Sequence, residues 1–222
     1  MHLIVTSINY VNYADSRKTN LQRVATEVMS ERDAPNVRWV SLNYIGEKAD
    51  VPPSFEVHNV LKRNSKQTIR NDRELPYVKD IFDCCSKMDC KYFGYLNSDI
   101  LLPEDFFDVF DEEKNAYMFR RKDITSVTKN TFAEKKFRVL SENHLGVDGI
   151  FFEREWWIKN RNQFSDDLIL GEPEWDLYYE RKIKSTTKDY IIERNIFHVF
   201  HETTWTLKSP GAKNNRKINR AF

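Results

Sequence analysis

The chain has 222 residues, of which 40% are apolar, 14% aromatic and 31% charged. This composition is typical of a globular domain that builds its own core, and it excludes an intrinsically disordered chain. The formal net charge of only +1 excludes an overall field that would attract nucleic acid or a membrane surface.

The sequence also predicts a soluble, cytoplasmic protein. Its first ten residues, MHLIVTSINY, lack the basic region and the long apolar stretch of a signal peptide. No segment approaches the roughly 20 apolar residues of a membrane-spanning helix. The three cysteines, Cys84, Cys85 and Cys90, are clustered and odd in number. Because such a set does not form a disulfide framework, we expect reduced packing residues.

The first half of the chain alternates predicted strands and helices. Short β-branched runs indicate strands, and apolar residues at helical spacing indicate helices. The predicted elements are a strand at 3–8, a helix at 16–30, strands at 37–42 and 55–60, a helix at 72–87 and a strand at 92–96. This alternation favours an α/β/α sandwich with a mostly parallel central sheet.

The second half is less regular. A polar region at 123–143 is predicted to be a loop over a cleft, and the last segment carries five cations and no acid from Lys208 onward. That basic tail is either a solvated tail or an anion-binding segment. The predicted elements are a short acidic helix after Pro103, strands at 116–120, 146–152 and 190–192, and helices at 153–160 and 174–184.

The strand predicted at 92–96 runs directly into Asn97-Ser98-Asp99. Ligands of open α/β sheets bind beyond the carboxyl ends of the strands. The Asp99 carboxylate is therefore a candidate ligand for a hard divalent cation that bridges a diphosphate. An Asx turn that ends the strand is an equally good explanation of the same residues.

Two later segments add carboxylates. Gly146-Val147-Asp148-Gly149 places an acid between two glycines at the start of a strand, where the backbone could pass close to a ligand. Gly171-Glu172-Pro173-Glu174-Trp175-Asp176 gathers three acids and an indole at a helix start. A carboxylate there is a candidate general base, and the indole is a candidate platform for a sugar face. The alternative is an acidic first turn that satisfies the helix dipole.

A third segment, Phe197-His198-Val199-Phe200-His201, offers two imidazoles three residues apart in an apolar setting. Either histidine could complete a metal site that begins with Asp99. A packed core histidine is the alternative for each of them.

The order of these segments resembles that of the GT-A glycosyltransferases, the nucleotide-diphospho-sugar transferases. Asn97-Ser98-Asp99 matches the metal-binding D-x-D motif of the superfamily, and His198 or His201 matches its late metal-binding histidine. The stretch 171–176 is most similar to the W-G-G-E-D-D-D segment of the Golgi galactosyltransferases. The chain departs from the D-x-D motif at its first acid, where Asn97 could still hydrogen-bond a ribose hydroxyl.

The resemblance implies one GT-A domain over residues 1–222, with a nucleotide-binding half at 1–100 and an acceptor-binding half with a basic tail at 101–222. It implies metal-dependent transfer of a sugar from a UDP-sugar to a hydroxyl of a glycan or glycoprotein, with no nucleic-acid partner. Mn²⁺ or Mg²⁺ is the expected cofactor, and Asp99, His198 and His201 are its expected ligands.

The resemblance also implies roles for other residues. Glu174 falls on the catalytic-base position and Asp176 on a neighbouring acceptor-binding acid, and both are expected in the catalytic centre. Asp148, Gly149 and Trp175 are expected to contact the substrate. The residues expected to bind the donor nucleotide are Thr6, Ile8, Asn9, Arg73, Asn97, Ser98, Lys208 and Lys213. A solvated cation at a helix start is an equally good explanation of Arg73.

Three other functions compete with this one. A nucleotidyltransferase would need a glycine-rich phosphate loop after the first strand, and the segment 7–13 has no glycine. A non-catalytic carbohydrate- or nucleotide-sugar-binding module is favoured by Asn97, which weakens the metal motif. Nucleic-acid binding through the basic tail lacks interleaved aromatic residues there and a basic face elsewhere.

Overall fold

A single mixed β-sheet runs through the protein. The computed structural model describes residues 3–6, 16–31, 36–201 and 206–222, except the side chains of 3–5 and 16–18. Within these residues the strands are β1 Leu3–Thr6, β2 Val37–Tyr44, β3 Phe55–Leu61, β4 Tyr92–Leu96, β5 Ile100–Leu101, β6 Ala116–Ile124, β7 Val139–Ser141, β8 Gly149–Glu153 and β9 Tyr190–Val199.

Helices and two 3₁₀ turns cover and connect the strands. The 3₁₀ turns are Phe106–Asp111, where a short acidic helix was predicted, and Arg161–Gln163. The helices are α1 Ser16–Ser30, α2 Ser65–Ile69, α3 Val78–Cys85, α4 Lys129–Ala133, α5 Arg154–Asn160, α6 Trp175–Thr186 and α7 Pro210–Ala221. Helix α1 has the predicted bounds.

Helix α3 is shorter than the helix predicted at 72–87. Pro76 disfavours helical backbone at Leu75, the residue before it. Tyr77 is extended, with φ −88° and ψ 133°, and forms an antiparallel bridge with Ile169. The segment before α3 therefore pairs with the chain at Ile169 instead of continuing the helix.

The first four strands are parallel, as the alternation of strands and helices predicted. The sheet order is β3-β2-β1-β4-β8-β6-β9-β5, with β7 beside β6, and β3, β2, β1 and β4 are parallel neighbours. This is the order of a doubly wound sheet, in which the chain moves outward on both sides of β1. The order reverses between β1 and β4, so a ligand is expected at the carboxyl ends of these two strands.

The prediction of a mostly parallel sheet is wrong for the second half. Strand β8 is antiparallel to both β4 and β6, and β5 is antiparallel to β9. Of the pairings in this half, β6 with β9 is parallel. Parallel neighbours need a crossover connection of a dozen residues or more, usually through a helix. The region 123–143, predicted to be a loop over the cleft, instead holds the end of β6, the short α4 and the strand β7, which pairs back onto β6, and none of its residues lines the cleft.

Strand β9 is much longer than the strand predicted at 190–192. The polar residues Glu193, Arg194 and Asn195 interrupt its apolar pattern. At this point the pairing shifts from Phe119 opposite Glu193 to Arg121 opposite Ile196. One residue of β6, Arg120, therefore lies opposite two of β9, Arg194 and Asn195. This is a β-bulge, and bulges re-aim the side chains that follow them.

Aromatic side chains fill the core on both faces of the sheet. Neighbouring residues of a strand point to opposite faces, so Tyr92 and Phe151 join one cluster while Phe93 and Phe152 join the other. Gly94 lies between them in β4, where a Cβ atom would be 2.3 Å from the Phe151 ring. This close packing fixes β4, and with it the start of the segment that follows.

The cysteines are free thiols, as predicted. Cys85 and Cys90 are buried, and burial raises the pKa of both, to about 11 for Cys90. No helix among the described residues has the length and apolar character needed to cross a lipid bilayer.

The basic segment at the C-terminal end forms helix α7 and is not a solvated tail. Ser209 caps the helix by accepting a hydrogen bond from the backbone N–H of Ala212 at 3.0 Å, and Pro210 occupies the first turn. The buried Glu172 carboxylate accepts hydrogen bonds from Ser209 Oγ at 2.7 Å and Asn71 Nδ2 at 3.1 Å. Glu172 thereby joins the start of α7 to the body of the protein.

We expect the Glu172→Ala substitution to lower the free energy of unfolding by about 2–3 kcal/mol, because it removes a buried acceptor from its donors. Denaturant unfolding measures this change. Glu155→Ala is the matched control, since that side chain is 71% exposed and should cost under about 0.5 kcal/mol. Equal stabilities of the two variants would contradict the packed position of α7.

Candidate active site

A cleft of about 490 Å³ opens beyond the carboxyl end of β4, a volume typical of small-molecule sites. Its walls come from the segment after β4, the segment before β8, the segment that leads into α6, and the end of β9. The cleft is therefore at the place where the strand order predicts a ligand.

Three metal-ligand side chains converge on one side of the cleft. The Asp99 Oδ2 atom lies 3.4 Å from His198 Nε2 and 3.3 Å from His201 Nε2. The two imidazole Nε2 atoms are 3.2 Å apart. One carboxylate oxygen and two imidazole nitrogens, all within 4.8 Å of one another, form a group that could hold a metal ion.

Charges around this cluster keep its acid ionised and its inner histidine basic. Burial disfavours the Asp99 anion, but hydrogen bonds from His198 and His201 outweigh it and hold the Asp99 pKa well below its usual range. Burial likewise lowers the pKa of His198, yet Asp123 and Asp99 outweigh it and raise that pKa to about 9.

Asp148 forms part of the cleft floor and is rigidly held. Its Oδ1 atom accepts hydrogen bonds from Asn97 Nδ2 at 2.8 Å and from Arg121 Nη1 at 3.0 Å. Its Oδ2 atom is buried and has no hydrogen-bond partner. Burial raises the Asp148 pKa to about 6, although Arg121 opposes the shift. A buried oxygen without a partner is costly, so its presence in a cleft indicates a site for a hydroxyl or another donor.

Asp176 lies in the first turn of α6 and lines the same cleft. Its Oδ2 atom accepts a hydrogen bond from the Val147 backbone N–H at 3.1 Å. Burial raises the Asp176 pKa against the hydrogen bonds that it accepts from backbone N–H groups. A carboxylate with a raised pKa at a cleft wall is suited to accept a proton.

Glu174, the residue expected to be the catalytic base, has other partners. Arg216 Nε donates to its carboxylate at 2.9 Å and Asn219 Nδ2 at 3.2 Å, both from α7. Burial disfavours its charged form, but these two hydrogen bonds outweigh it and lower the Glu174 pKa. These contacts favour a role in holding α7 over a role as a base.

Three residues that were predicted to bind the nucleotide, Asn97, Ser98 and Thr6, have different environments. Asn97 lines it and donates to Asp148. Ser98 is buried, and its Oγ accepts a hydrogen bond from Gln22 Nε2. Thr6, at the end of β1, is fully buried, and its hydroxyl donates to the Val40 carbonyl at 3.0 Å. The Thr6 hydroxyl is thus bound within the sheet.

The cations expected at the nucleotide divide into two groups. Arg73 lines the cleft, where its Nη2 atom donates to the Gly171 carbonyl at 2.8 Å and pairs with Glu172. Lys208 and Lys213 are exposed and do not line it. The two remaining nucleotide-binding predictions, Ile8 and Asn9, lie outside the described residues.

Two predicted substrate contacts take part in packing. Gly149 is buried in β8, and a Cβ atom there would be 2.5 Å from Leu96 Cδ2. The glycine therefore allows β8 to pack against the end of β4. The Trp175 ring is 6% exposed and packs edge-on against Tyr95 at 6.0 Å. The indole lines the cleft, but its packing leaves little of the ring exposed to a sugar.

Sequence reasoning missed Arg121 and Asp123. Both lie on β6, where their alternation places them on one face, but the polar run at 120–123 hid the end of the strand. Asp123 Oδ1 is 2.8 Å from His198 Nδ1, and Arg121 Nε donates to the same oxygen at 3.0 Å. An arginine and an aspartate two residues apart in a predicted strand would have been the signal.

Comparison with known proteins gives a likeness in structure alone. No protein-family model matches the sequence, and no curated protein matches it. The crystal structure of S. aureus TarS 1-349 in complex with UDP-GlcNAc matches 91% of this chain with 10% identity and a TM-score of 0.55. TarS 1-349 in complex with UDP matches 90% with 11% identity and a TM-score of 0.53.

The chain spans 59% and 61% of those two TarS chains, and 37% of a longer S. aureus TarS structure, with a TM-score of 0.57. At such low identity the likeness establishes a shared fold. Those two TarS structures are complexes with UDP-GlcNAc and with UDP.

The packing of Gly149 can be tested by Gly149→Ala, which we expect to lower the free energy of unfolding by about 1–3 kcal/mol, because the added methyl group meets Leu96. Thermal and denaturant unfolding measure the loss. A variant with wild-type stability but weakened ligand binding would instead support the predicted contact between Gly149 and the substrate.

Proposed function

We propose that this protein is a metal-dependent glycosyltransferase of the GT-A type, which transfers a sugar from a UDP-sugar to a hydroxyl of a glycan or glycoconjugate. The observation that carries the proposal is the convergence of Asp99, His198 and His201 beside Asp148, whose buried Oδ2 atom has no hydrogen-bond partner and lies 3.9 Å from His144 Nε2. These groups line a cleft at the switch point of a fold shared with TarS, and one of the matching TarS structures is a complex with UDP-GlcNAc.

The donor set fits a divalent cation such as Mn²⁺ or Mg²⁺. A carboxylate oxygen and imidazole nitrogens are ligands that such sites use, and their present spacing needs only small movements to surround an ion. When bound, the cation would neutralise the charge that develops on the leaving diphosphate. Asn97, without a charge, would contact a ribose hydroxyl or a metal-bound water.

The Asp148 carboxylate is proposed to bind the transferred sugar. Its Oδ1 atom is occupied by Asn97 and Arg121, whereas Oδ2 is buried without a hydrogen-bond partner. A sugar hydroxyl that donates to Oδ2 would relieve the cost of that buried acceptor. Arg73, on another wall of the cleft, is proposed to contact the diphosphate or the base.

Asp176 is proposed to be the general base if the anomeric centre is inverted. In that reaction the acceptor oxygen bonds to the anomeric carbon as the bond from that carbon to the UDP oxygen breaks. Asp176 takes the acceptor's proton, and UDP leaves with the electron pair. The raised Asp176 pKa supports this role, whereas the ion pair of Glu174 with Arg216 argues against Glu174.

The metal proposal predicts that Asp99→Ala reduces Mn²⁺-dependent release of UDP from UDP-sugars by at least about 100-fold, because a metal ligand and its charge are lost. UDP release from a panel of UDP-sugars, with and without Mn²⁺, measures it. Asp105→Asn is the control, since Asp105 is exposed and outside the cleft. Unchanged turnover in Asp99→Ala would refute the proposal. UDP-sugar binding without any turnover by the wild type would favour a binding module.

The base assignment predicts that Asp176→Asn lowers the rate of UDP release about 10²- to 10⁴-fold, the usual contribution of a general base. Asparagine can still accept the hydrogen bond from Val147, so UDP affinity should stay near the wild-type value. Glu174→Gln, measured in the same assay, should lose less than about tenfold. A larger loss in Glu174→Gln than in Asp176→Asn would assign the general base to Glu174. Small losses in both variants would indicate a reaction that retains the anomeric configuration.

A further inference from the structure

Arg121 and Asp123 connect the metal-ligand cluster to the floor of the cleft through hydrogen bonds. Asp123 Oδ1 lies 2.8 Å from His198 Nδ1 and accepts from Arg121 Nε at 3.0 Å. The Arg121 Nη1 atom donates to Asp148 Oδ1 at 3.0 Å. The side chains of Arg121, Asp123 and Asp148 are only 17%, 11% and 6% exposed. One guanidinium thus joins the carboxylate that contacts His198 to the Asp148 carboxylate in the cleft.

The pairing of β6 with β9 sets this arrangement. After the bulge at residues 193–196, Asp123 is opposite His198. Without the extra residue, the register that starts at Phe119 and Glu193 would place Phe197 opposite Asp123. The bulge therefore brings the imidazole, and not the phenyl ring, against the carboxylate. Bulges beside active sites commonly re-aim one side chain in this way.

The contact with Asp123 selects one tautomer of His198. An ionised carboxylate can only accept, so His198 Nδ1 carries the proton that it donates to Asp123. The Nε2 atom faces Asp99 and His201, and a bound cation would take the place of the proton on this nitrogen. Metal-binding histidines commonly donate their second ring N–H to a carboxylate, which fixes the ring and makes it a better ligand.

We propose that Asp123 and Arg121 are positioning residues of the site. Asp123 holds His198 in the tautomer and orientation that bind a divalent cation through Nε2, and Arg121 holds Asp123 and Asp148 at a fixed separation. Cation binding and recognition of the donor sugar therefore depend on one buried guanidinium. This inference rests on the proposed function, because it takes the metal ligands and the sugar-binding role of Asp148 from it.

The test is the affinity of the ligand-free protein for Mn²⁺, measured as the free-ion signal in electron paramagnetic resonance titrations. We expect Asp123→Asn to bind Mn²⁺ about 10- to 100-fold more weakly, the usual effect of removing such a partner of a metal ligand. The substitution keeps the shape of the side chain and removes the charge that orients His198 Nδ1–H. Mn²⁺ affinity is read at a temperature where the variant is folded, so a loss of stability alone would not move it.

Lys122→Gln is the matched control. Lys122 lies between the two residues on β6, and its ammonium group pairs with Glu142 at 3.3 Å, away from the cleft. Its Mn²⁺ affinity should equal that of the wild type. His198→Ala marks the loss expected when a ligand itself is removed.

The outcomes separate the inference from the proposed function. Wild-type Mn²⁺ affinity in Asp123→Asn, with weak binding by His198→Ala, overturns the positioning role and leaves the metal site intact. Wild-type affinity in His198→Ala, or no Mn²⁺ binding by the wild type, overturns the proposed metal site itself. Weak binding in Asp123→Asn with wild-type binding in Lys122→Gln supports the inference.

Arg121→Lys tests the second connection and does not depend on the folding of Asp123→Asn. Lysine keeps the charge but cannot donate from a rigid fork to two carboxylates. We expect Mn²⁺ affinity between those of the wild type and Asp123→Asn. We also expect the Arg121→Lys variant to bind UDP-GlcNAc no more tightly than it binds UDP. If Arg121→Lys has the wild-type Mn²⁺ affinity and the wild-type preference for UDP-GlcNAc over UDP, the role of Arg121 is overturned. If Asp123→Asn does not fold, this same result overturns the whole proposal.

Discussion

The register of β9 against β6 is the constraint on which the candidate site depends. One extra residue in β9 turns His198 toward Asp123, and that buried contact directs His198 Nε2 to Asp99 and His201. The same strand β6 pairs with β8, which begins directly after Asp148. A change of register by one residue would therefore separate the metal-ligand cluster from the floor of the cleft, because neighbouring residues of a strand face opposite sides.

Four carboxylates near the cleft have two kinds of environment. Histidine and arginine partners outweigh burial at Asp99 and Asp123 and lower the pKa of each, so both stay anionic. Burial dominates at Asp148 and Asp176 and raises the pKa of each. Environments that separate the pKa values of neighbouring acids are typical of sites where one acid holds charge and another exchanges a proton. Arg121 contacts one acid of each kind, Asp123 and Asp148.

Local patterns predicted much of the fold and less of the site. Helix α1 and strand β4 have the predicted bounds, because their apolar spacing is regular. The mixed half was missed because strand direction depends on long-range pairing, which β8 has with two distant strands. Asp99, His198 and His201 were named together from their order along the chain. The contact of His198 with Asp123 depends on a bulge in β9 that no local pattern reveals. The ion pair of Glu174 with Arg216 depends on α7, which the sequence analysis described as a basic tail.

The most direct test of the metal-site account is an anomalous diffraction map of the protein crystallised with UDP and Mn²⁺. The account predicts a manganese peak bonded to Asp99 and to Nε2 of His198, His201 or both, with the diphosphate of UDP beside it in the cleft. UDP bound in the cleft with no manganese at these side chains would contradict the metal site. Manganese and UDP bound elsewhere would contradict the function.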